Sequence, residues 1–592
     1  MPEPQRLPPA EGEPPDCPAR EDPATLGFTR RPKVRWLAPA MLARTGAQVA
    51  VSQVFGAFLD RRELQALETA DPLDLSGEVE DGEFWLDYVA DLGDGFDATA
   101  TVASQLAEEE LELPDADGQP HPTRAGRLLV MGGDQCYPVA SRSNYADRLV
   151  GPYRMMLPWT DRPRTLLALP GNHDWYDGLT SFLRQFCQGR WIGGWRTVQR
   201  RSYFAVKLPG GWWLWGIDIQ LGVDIDQEQL DYFRRVAERV APDDAIVLCW
   251  AMPAWVESGK DNPEGYAPLE YFERTVIPDR RMLRLSLSGD LHHYARYRGQ
   301  DEAGQQKITA GGGGAYLFGT HKLPERVQLP PVESHDVGKQ PPVTYQLERC
   351  YPDKATSKRL RWGILGSIYR NKGFWLVPAI VYLLLGVTLR RAFPALAEPD
   401  WWLASVPDLV LLMVLVFLLW TGLGLFTGLR RRRNPRLRAA VSGLHTAAHL
   451  ALVTLTVVGV ELWSEALGWS PETGVAAVPL AAWLVGGLAG PAVVGVYLLL
   501  ADHAGPHGVN TEELFAGQAI QDYKCFVRLR IAADGTLTVF PVRIDRAVRW
   551  TFAGGGRRTE NGKGVSRWYI PVDGVEPRPA LIEPPITVPK RP

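Results

Sequence analysis

At 592 residues the chain is longer than one ordinary domain. Its formal net charge of −4 and pI near 6.3 give no reason to expect a nucleic-acid partner. Six cysteines, at 17, 136, 187, 249, 350 and 525, form no C-x-x-C pair, which argues against a disulfide framework or structural zinc and suits a reducing compartment.

In chain order, residues 1–34 are rich in Pro, Glu and Arg and read as a disordered tail. No apolar h-region follows the start, so no secretory signal peptide is expected. Residues 35–79 read as a helical lead-in. From 80 to 325 strands and helices alternate. Asp97 can cap a helix through about Glu110, with Val102 and Leu106 inward. Helices follow near Ser143–Val150 and from Asp226, where Leu230, Phe233, Val236 and Val240 share a stripe. Strands fall at Trp212–Ile217, Ala245–Cys249 and Leu283–Leu287. The alternation argues an α/β layered domain.

Within this region four apolar runs end in Gly with Asp or His. They lead to Asp91-Leu92-Gly93, Gly132-Gly133-Asp134-Gln135-Cys136-Tyr137, Gly171-Asn172-His173-Asp174, and Gly289-Asp290-Leu291-His292-His293. In sheets flanked by helices, ligands collect at the carboxyl ends of strands. Asp, Asp, Asn-His and Asp-x-His brought together there would make a mixed oxygen and nitrogen metal site. The Asn carbonyl can bind a metal and the neighbouring imidazole can transfer a proton. A Gly-Asn-His-Asp met alone is equally a turn; the other three stretches, in this order, favour chemistry.

The order resembles the calcineurin-like metallophosphoesterases, whose pattern runs D-x-H or D-x-G, G-D-x-x-[DY], G-N-H-[DE], a lone His, then G-H-x-H. Asp91-x-Gly93 paired with Tyr137 is similar to the purple acid phosphatase variant. Two departures stand out. Asp290 replaces the first His of the last motif, and Ala245–Pro253 carries no His where the lone one belongs. The resemblance implies a four-layer sandwich of two sheets flanked by helices. It also implies hydrolysis of a phosphoester with one or two divalent or trivalent metal ions, of manganese, iron or zinc. Asp134 would bridge the metals, Asp91, Tyr137 and His292 would complete one position, and Asn172 and Asp290 would serve the other. A metal-bound water would attack phosphorus, and His173, held by Asp174, would protonate the leaving oxygen. Arg142 or Arg296 could hold phosphate. His321, after the run Gly311–Gly314, could supply a ligand.

Residues 326–372 read as a polar connector ending in basic residues. The composition then turns apolar, and Gly373–Leu389, Leu409–Leu429, Leu444–Val460 and Val475–Leu500 read as four transmembrane helices. The run Arg430–Arg433 marks its loop as cytoplasmic, and acidic loops near Glu398–Asp400 and Glu461–Glu472 face out. Arg390 and Arg391 run against that rule. This makes a multi-pass cell-membrane protein whose soluble parts are cytoplasmic. His445 and His449, at i and i+4, share one face and suit interhelix hydrogen bonding or a metal or haem ligand pair. Residues 504–592 read as a polar, β-containing C-terminal region, with a hairpin over 522–542 turning at Ala533-Asp534-Gly535 that could pack on the 80–325 domain and shape its pocket.

A membrane location favours a lipid phosphate or lipid-linked diphosphate, with membrane lipids as partners; a nucleotide or phosphoprotein substrate stays open. The rival reading is a catalytically weak sensor or scaffold, motivated by the two departures.

Overall fold

The computed structural model describes residues 27–42, 71–158, 160, 162–219, 225–260, 262–332, 341–392, 401–427, 435–558 and 566–591. Most of the tail and lead-in, the arginine run at 430–433 and the acidic residues at 398–400 lie outside the described residues. The chain divides into two compact units. One joins Met1–Val34, Ala47–Lys354 and Ile520–Pro592; the other joins Arg35–Gly46 with Ala355–Ala519.

The first unit is mixed α/β with two large sheets. Strands β1 (Phe84–Val89), β2 (Leu128–Met131), β3 (Arg164–Ala168) and β4 (Trp195–Thr197) run parallel in one. The second sheet holds β5 (Phe204–Leu208), β6 (Trp212–Ile217), β7 (Ala245–Trp250) and β8 (Leu283–Ser288). It continues through β9 (Tyr294–Gly299), β10 (Gln306–Ala310) and β11 (Val343–Tyr351), in the spatial order β5-β6-β7-β8-β10-β9-β11. Successive strand residues point to opposite faces. Leu86 and Tyr88 of β1 therefore meet Leu214, Val247 and Leu285 between the sheets. Trp85 and Val89 face the helix α1 (Phe96–Ala107), and Trp215 and Leu248 on the far side face α2 (Gln227–Ala237).

Several sequence expectations change here. Helix α1 starts after Gly95 and stops at Ala107, and Asp97 accepts a hydrogen bond from the Trp550 amide at 3.2 Å. The end of the predicted tail is ordered: Val34 donates to Asp94 at 2.7 Å and Phe28 packs on Phe96. The predicted connector contains β11. Its Tyr345 is buried and Leu347 packs behind it, while intervening charged residues face out and gave the stretch its polar look. The C-terminal region is built into the first unit. Its strands β12 (Lys524–Ile531) and β13 (Leu537–Ile544) form the predicted hairpin, and β12 pairs antiparallel with β1, extending the first sheet.

In the second unit, α3 (Lys354–Leu360) and α4 (Ile364–Arg370) precede α5 (Leu376–Ala392), α6 (Trp401–Phe426), α7 (Pro435–Ala466), α8 (Pro471–Leu488) and α9 (Gly490–His503). Among the described residues three stretches, not the expected four, are long and apolar enough to cross a membrane: Val406–Phe426, Pro435–Ala466 and Pro471–His503. The expected first span became α5, only 17 residues long and ending in Arg390 and Arg391. The last breaks at Ala489 into α8 and α9. Tyr382, Leu385, Val453 and Ala482 form a shared core. His449 lies 2.8 Å from the Tyr382 hydroxyl on α5 and 3.1 Å from His445, an interhelix hydrogen-bonded chain.

Candidate active site

Three strand ends turn through a left-handed residue, and each is an aspartate: Asp91 after β1 (φ 59°), Asp134 after β2 (φ 50°) and Asp290 after β8 (φ 65°). Asp tolerates this conformation better than most residues. The turns are locked together, since the Asp91 amide donates to the Gly133 carbonyl at 3.0 Å and Leu92 to Asp134 at 2.9 Å. Glycine makes room for the carboxylates. A Cβ on Gly171 would lie 2.0 Å from Asp134 Oδ1, and one on Gly311 would lie 2.4 Å from Asp91 Oδ2. The run Gly311–Gly314 thus lets its backbone approach the Asp91 carboxylate closely.

The structure brings Asp91, Asp134, Tyr137 and His292 together. The Tyr137 hydroxyl lies 2.9 Å from Asp91 Oδ1, 3.1 Å from Asp134 Oδ2 and 2.9 Å from His292 Nε2. His292 Nδ1 faces the Tyr316 carbonyl at 2.8 Å. A carbonyl only accepts, so Nδ1 carries the ring proton and Nε2 turns its lone pair to the cluster. Three acceptors therefore converge on one phenolic proton. Two more buried acceptors, Asp91 Oδ2 and Asn172 Oδ1, have no hydrogen-bond partner among the described residues.

The electrostatics follow from burial. Burial, then Asp134 and Asp290, push the Asp91 carboxyl well above the usual range. Asp134 is raised by burial, with His173 pulling the other way. Burial, then Asp134 and Asp91, push Tyr137 well up, and burial holds His292 well down, so the imidazole is neutral. The buried Lys524 amine acts on His292 from nearby, but it donates to the Ala315 carbonyl, and the crowded acceptors are of the kind a cation completes. Among the described residues no three His, Cys, Asp or Glu side chains close on one metal position. The cluster is instead mixed, with a phenol at its centre and an amide oxygen nearby, and its oxygen-rich donors with one imidazole fit a manganese, iron or zinc ion.

His173 adjoins this cluster. Its amide donates to Asp134 Oδ1 at 2.9 Å, and its Nδ1 donates to the Pro138 carbonyl at 2.6 Å. Its ring meets those of Tyr137 and Tyr176, with centroids 4.5 and 5.1 Å away. Asp174, expected to hold the His173 ring, does something else. It accepts from the Gly171 amide at 2.8 Å, the Gln135 amide at 3.2 Å and the Tyr145 hydroxyl. It clamps the two motif loops, and the orienting acceptor for His173 is Pro138.

Other candidates separate. Arg296 is committed to Glu583, in a turn of the C-terminal region, at 2.6 Å and is not available to phosphate. Arg142 is exposed at the start of a short helix, and His321 is buried in the loop after β10. At the end of β7, where the resembled family carries its lone His, Ala251 abuts Gly133 so closely that a Cβ there would lie 2.7 Å from the alanine methyl. The motifs missed two residues. Tyr145 had no local signal. Lys524, the first residue of β12, is fully buried and donates to the Ala315 carbonyl; burial, despite nearby Cys525, Asp94 and Asp91, lowers its amine to about 8.

No protein-family model matches the chain, and no curated protein matches it significantly. Among solved structures, a purple acid phosphatase from yellow lupin (Lupinus luteus) seeds is similar over 40% of this chain, at 13% identity and a TM-score of 0.29. The match spans 45% of the lupin chain, less than half its length. A likeness of that size leaves the site to be judged on its own geometry.

Proposed function

We propose that this chain is a metal-dependent phosphoester hydrolase anchored in a membrane, with its catalytic unit on the cytoplasmic side. The observation that carries the chemistry is the convergence of Asp91, Asp134 and His292 on the single proton of Tyr137. Asp91, Tyr137 and His292 would hold one ion, Asn172 and Asp290 a second, and Asp134 would serve both. Bound there, such an ion supplies Lewis acidity toward a phosphoryl oxygen and eases deprotonation of water. The chain's own residues do the rest. Pro138 fixes the proton of His173 on Nδ1, so Nε2 is the nitrogen that takes up a proton and passes it to the leaving oxygen. Asp174 keeps the loops carrying Asp134 and His173 in register. Burial of Asp91 and His292 keeps bulk water from their polar atoms.

Connectivity supports the topology. The chain leaves the first unit after β11, in the second sheet, and returns to the same unit as β12, in the first sheet, so any membrane segment between them crosses an even number of times. Three stretches meet the length and hydropathy requirement; an even count on this reading takes α5 as a further, short crossing. Its 17 residues stand at the short end of the range that spans, about 17–25 residues. Arg390 and Arg391, at its outer end, pair with Glu461 and Asp408, which offsets their breach of the charge rule. A substrate confined to the membrane, such as a lipid phosphate, suits this anchoring.

Ala251 at the end of β7 favours a second reading, a catalytically weak sensor or scaffold. One experiment separates them: hydrolysis of p-nitrophenyl phosphate and its bis-ester by the detergent-purified chain with added manganese, iron or zinc. His173→Ala should lower turnover by about 10²–10⁴-fold. Equal rates in the two proteins would favour the scaffold.

A further inference from the structure

The loop after β10, residues 311–318, carries the groups that seat the His292 ring. The Tyr316 carbonyl accepts the Nδ1 proton at 2.8 Å, and the Phe318 ring stacks on the imidazole with centroids 4.1 Å apart. A ligating imidazole depends on what holds its other nitrogen, because that partner fixes the tautomer and aims the ligating lone pair.

The loop in turn is held from two sides. On one, Gly313 donates to the Ala90 carbonyl and Ala315 to the Asp91 carbonyl, each at 2.9 Å. On the other stand β12 and the residues that lead into it. β12 pairs with β1 only as far as Tyr88, opposite Val527. Beyond that point it bonds to the loop, with the Cys525 amide donating to the Gly312 carbonyl at 3.1 Å. Glycine permits this approach, since a Cβ on Gly312 would lie 2.5 Å from the Cys525 nitrogen. The peptide joining Tyr316 to Leu317 is pinned at both ends, its carbonyl by His292 and its N–H by the Ile520 carbonyl at 2.9 Å. The peptide before it is pinned by Lys524, whose ammonium donates to the Ala315 carbonyl.

Lys524 is fully buried, and that carbonyl is its one hydrogen-bond partner among the described residues. The carboxylates of Asp94, Asp522 and Asp91 act on it without making an ion pair. A charge buried against a single carbonyl costs free energy that an apolar side chain of the same length would not. Stability therefore does not account for an ammonium here. A charge-assisted hydrogen bond on the peptide beside the His292 acceptor does.

We propose that Lys524 is a positioning residue for the metal site: through the Ala315 and Tyr316 peptides it fixes the His292 ring, so that Nε2 points at the ion position it would share with Asp91 and Tyr137. This rests on the metal-site reading above and not on hydrolysis.

The test measures metal affinity of the full chain in detergent, by equilibrium dialysis at pH 7 with manganese, or with zinc where manganese is not taken up. The proteins are the wild type, Lys524→Met, Lys524→Gln, His292→Ala and the double variant Lys524→Met with His292→Ala. Lys524→Met should bind the ion about 10–100-fold more weakly than the wild type. Its thermal unfolding at pH 7 should come no earlier than that of the wild type, which separates the loss from a failure to fold. Lys524→Gln keeps a donor on a shorter stem and should recover part of the affinity. In the His292→Ala background, Lys524→Met should change affinity by less than about twofold, because the residue it acts through is gone. Wild-type affinity in Lys524→Met, or an equal loss with His292 already removed, would overturn the proposal and leave the metal site standing. The expected pattern without phosphoester turnover would overturn the hydrolase reading alone. A wild-type chain that takes up neither ion would overturn the metal site and this proposal together.

Discussion

A phenol has one proton to give, and the Tyr137 hydroxyl lies among three acceptors. Whichever of Asp91, Asp134 and His292 receives it, the remaining acceptors crowd together in a dry site, a costly arrangement that pushes both carboxyls up toward protonation. A cation resolves that cost, and this argument needs no motif. The motifs did make most of these residues legible, because each stands within a few positions of its own strand end. Asp174 was legible in kind but misread in role. The spacing Gly171-x-x-Asp174 is that of a capping pattern, and the carboxylate indeed takes the Gly171 amide. Lys524 yields a pH prediction. Its amine falls from an ordinary 10.5 to about 8, so between those values the unfolded chain binds more protons than the folded one. Stability of the wild type relative to Lys524→Met should therefore rise as pH goes from 8 to 10. Thermal unfolding of both proteins across that range checks it; a constant difference would mean the amine titrates normally.

At the scale of elements, β12 decides how the first sheet ends. Its Cys525, Val527 and Leu529 join the core between the sheets, and Phe526 joins the core on the helix side. Arg528, buried beneath α1, donates from Nε to Asp87 of β1 at 2.9 Å. Removing one partner leaves a bare charge in the core. Arg528→Ala should cost about 3–5 kcal/mol, and the pair Asp87→Leu with Arg528→Met should recover most of that. Protease susceptibility of the first unit measures both; equal susceptibility of the single and double variants would mean that packing, not the unpaired charge, sets the loss. The hairpin itself was legible from alternation and the Asp534-Gly535 turn. Its partner was not, because the residues that meet are 441 positions apart and no local pattern specifies a register between them. The same alternation lay in β11, hidden by its charged outer face.

At the scale of the molecule, the helical unit that carries the long apolar stretches is an insertion into the chain of the α/β unit. Composition put the boundary at 373, after a polar connector, whereas the two units divide near 355, and only the β12–β1 pairing reveals that the chain comes back. Tags on the first and last residues should accordingly be reached by protease from the same side of a sealed vesicle, the cytoplasmic one; opposite sides would require an odd number of crossings. A chain ended at Ala519 lacks β12 and Lys524 and should retain neither metal nor hydrolysis, measured by elemental analysis and p-nitrophenyl phosphate turnover. Metal content also tests the central claim most directly, because it requires no knowledge of the substrate. The full chain, purified in detergent and supplied with manganese, iron or zinc, should carry one or two ions, and Asp134→Ala should lose them. A full chain that stays metal-free with all three ions, or one whose metal survives Asp134→Ala unchanged, would contradict the account.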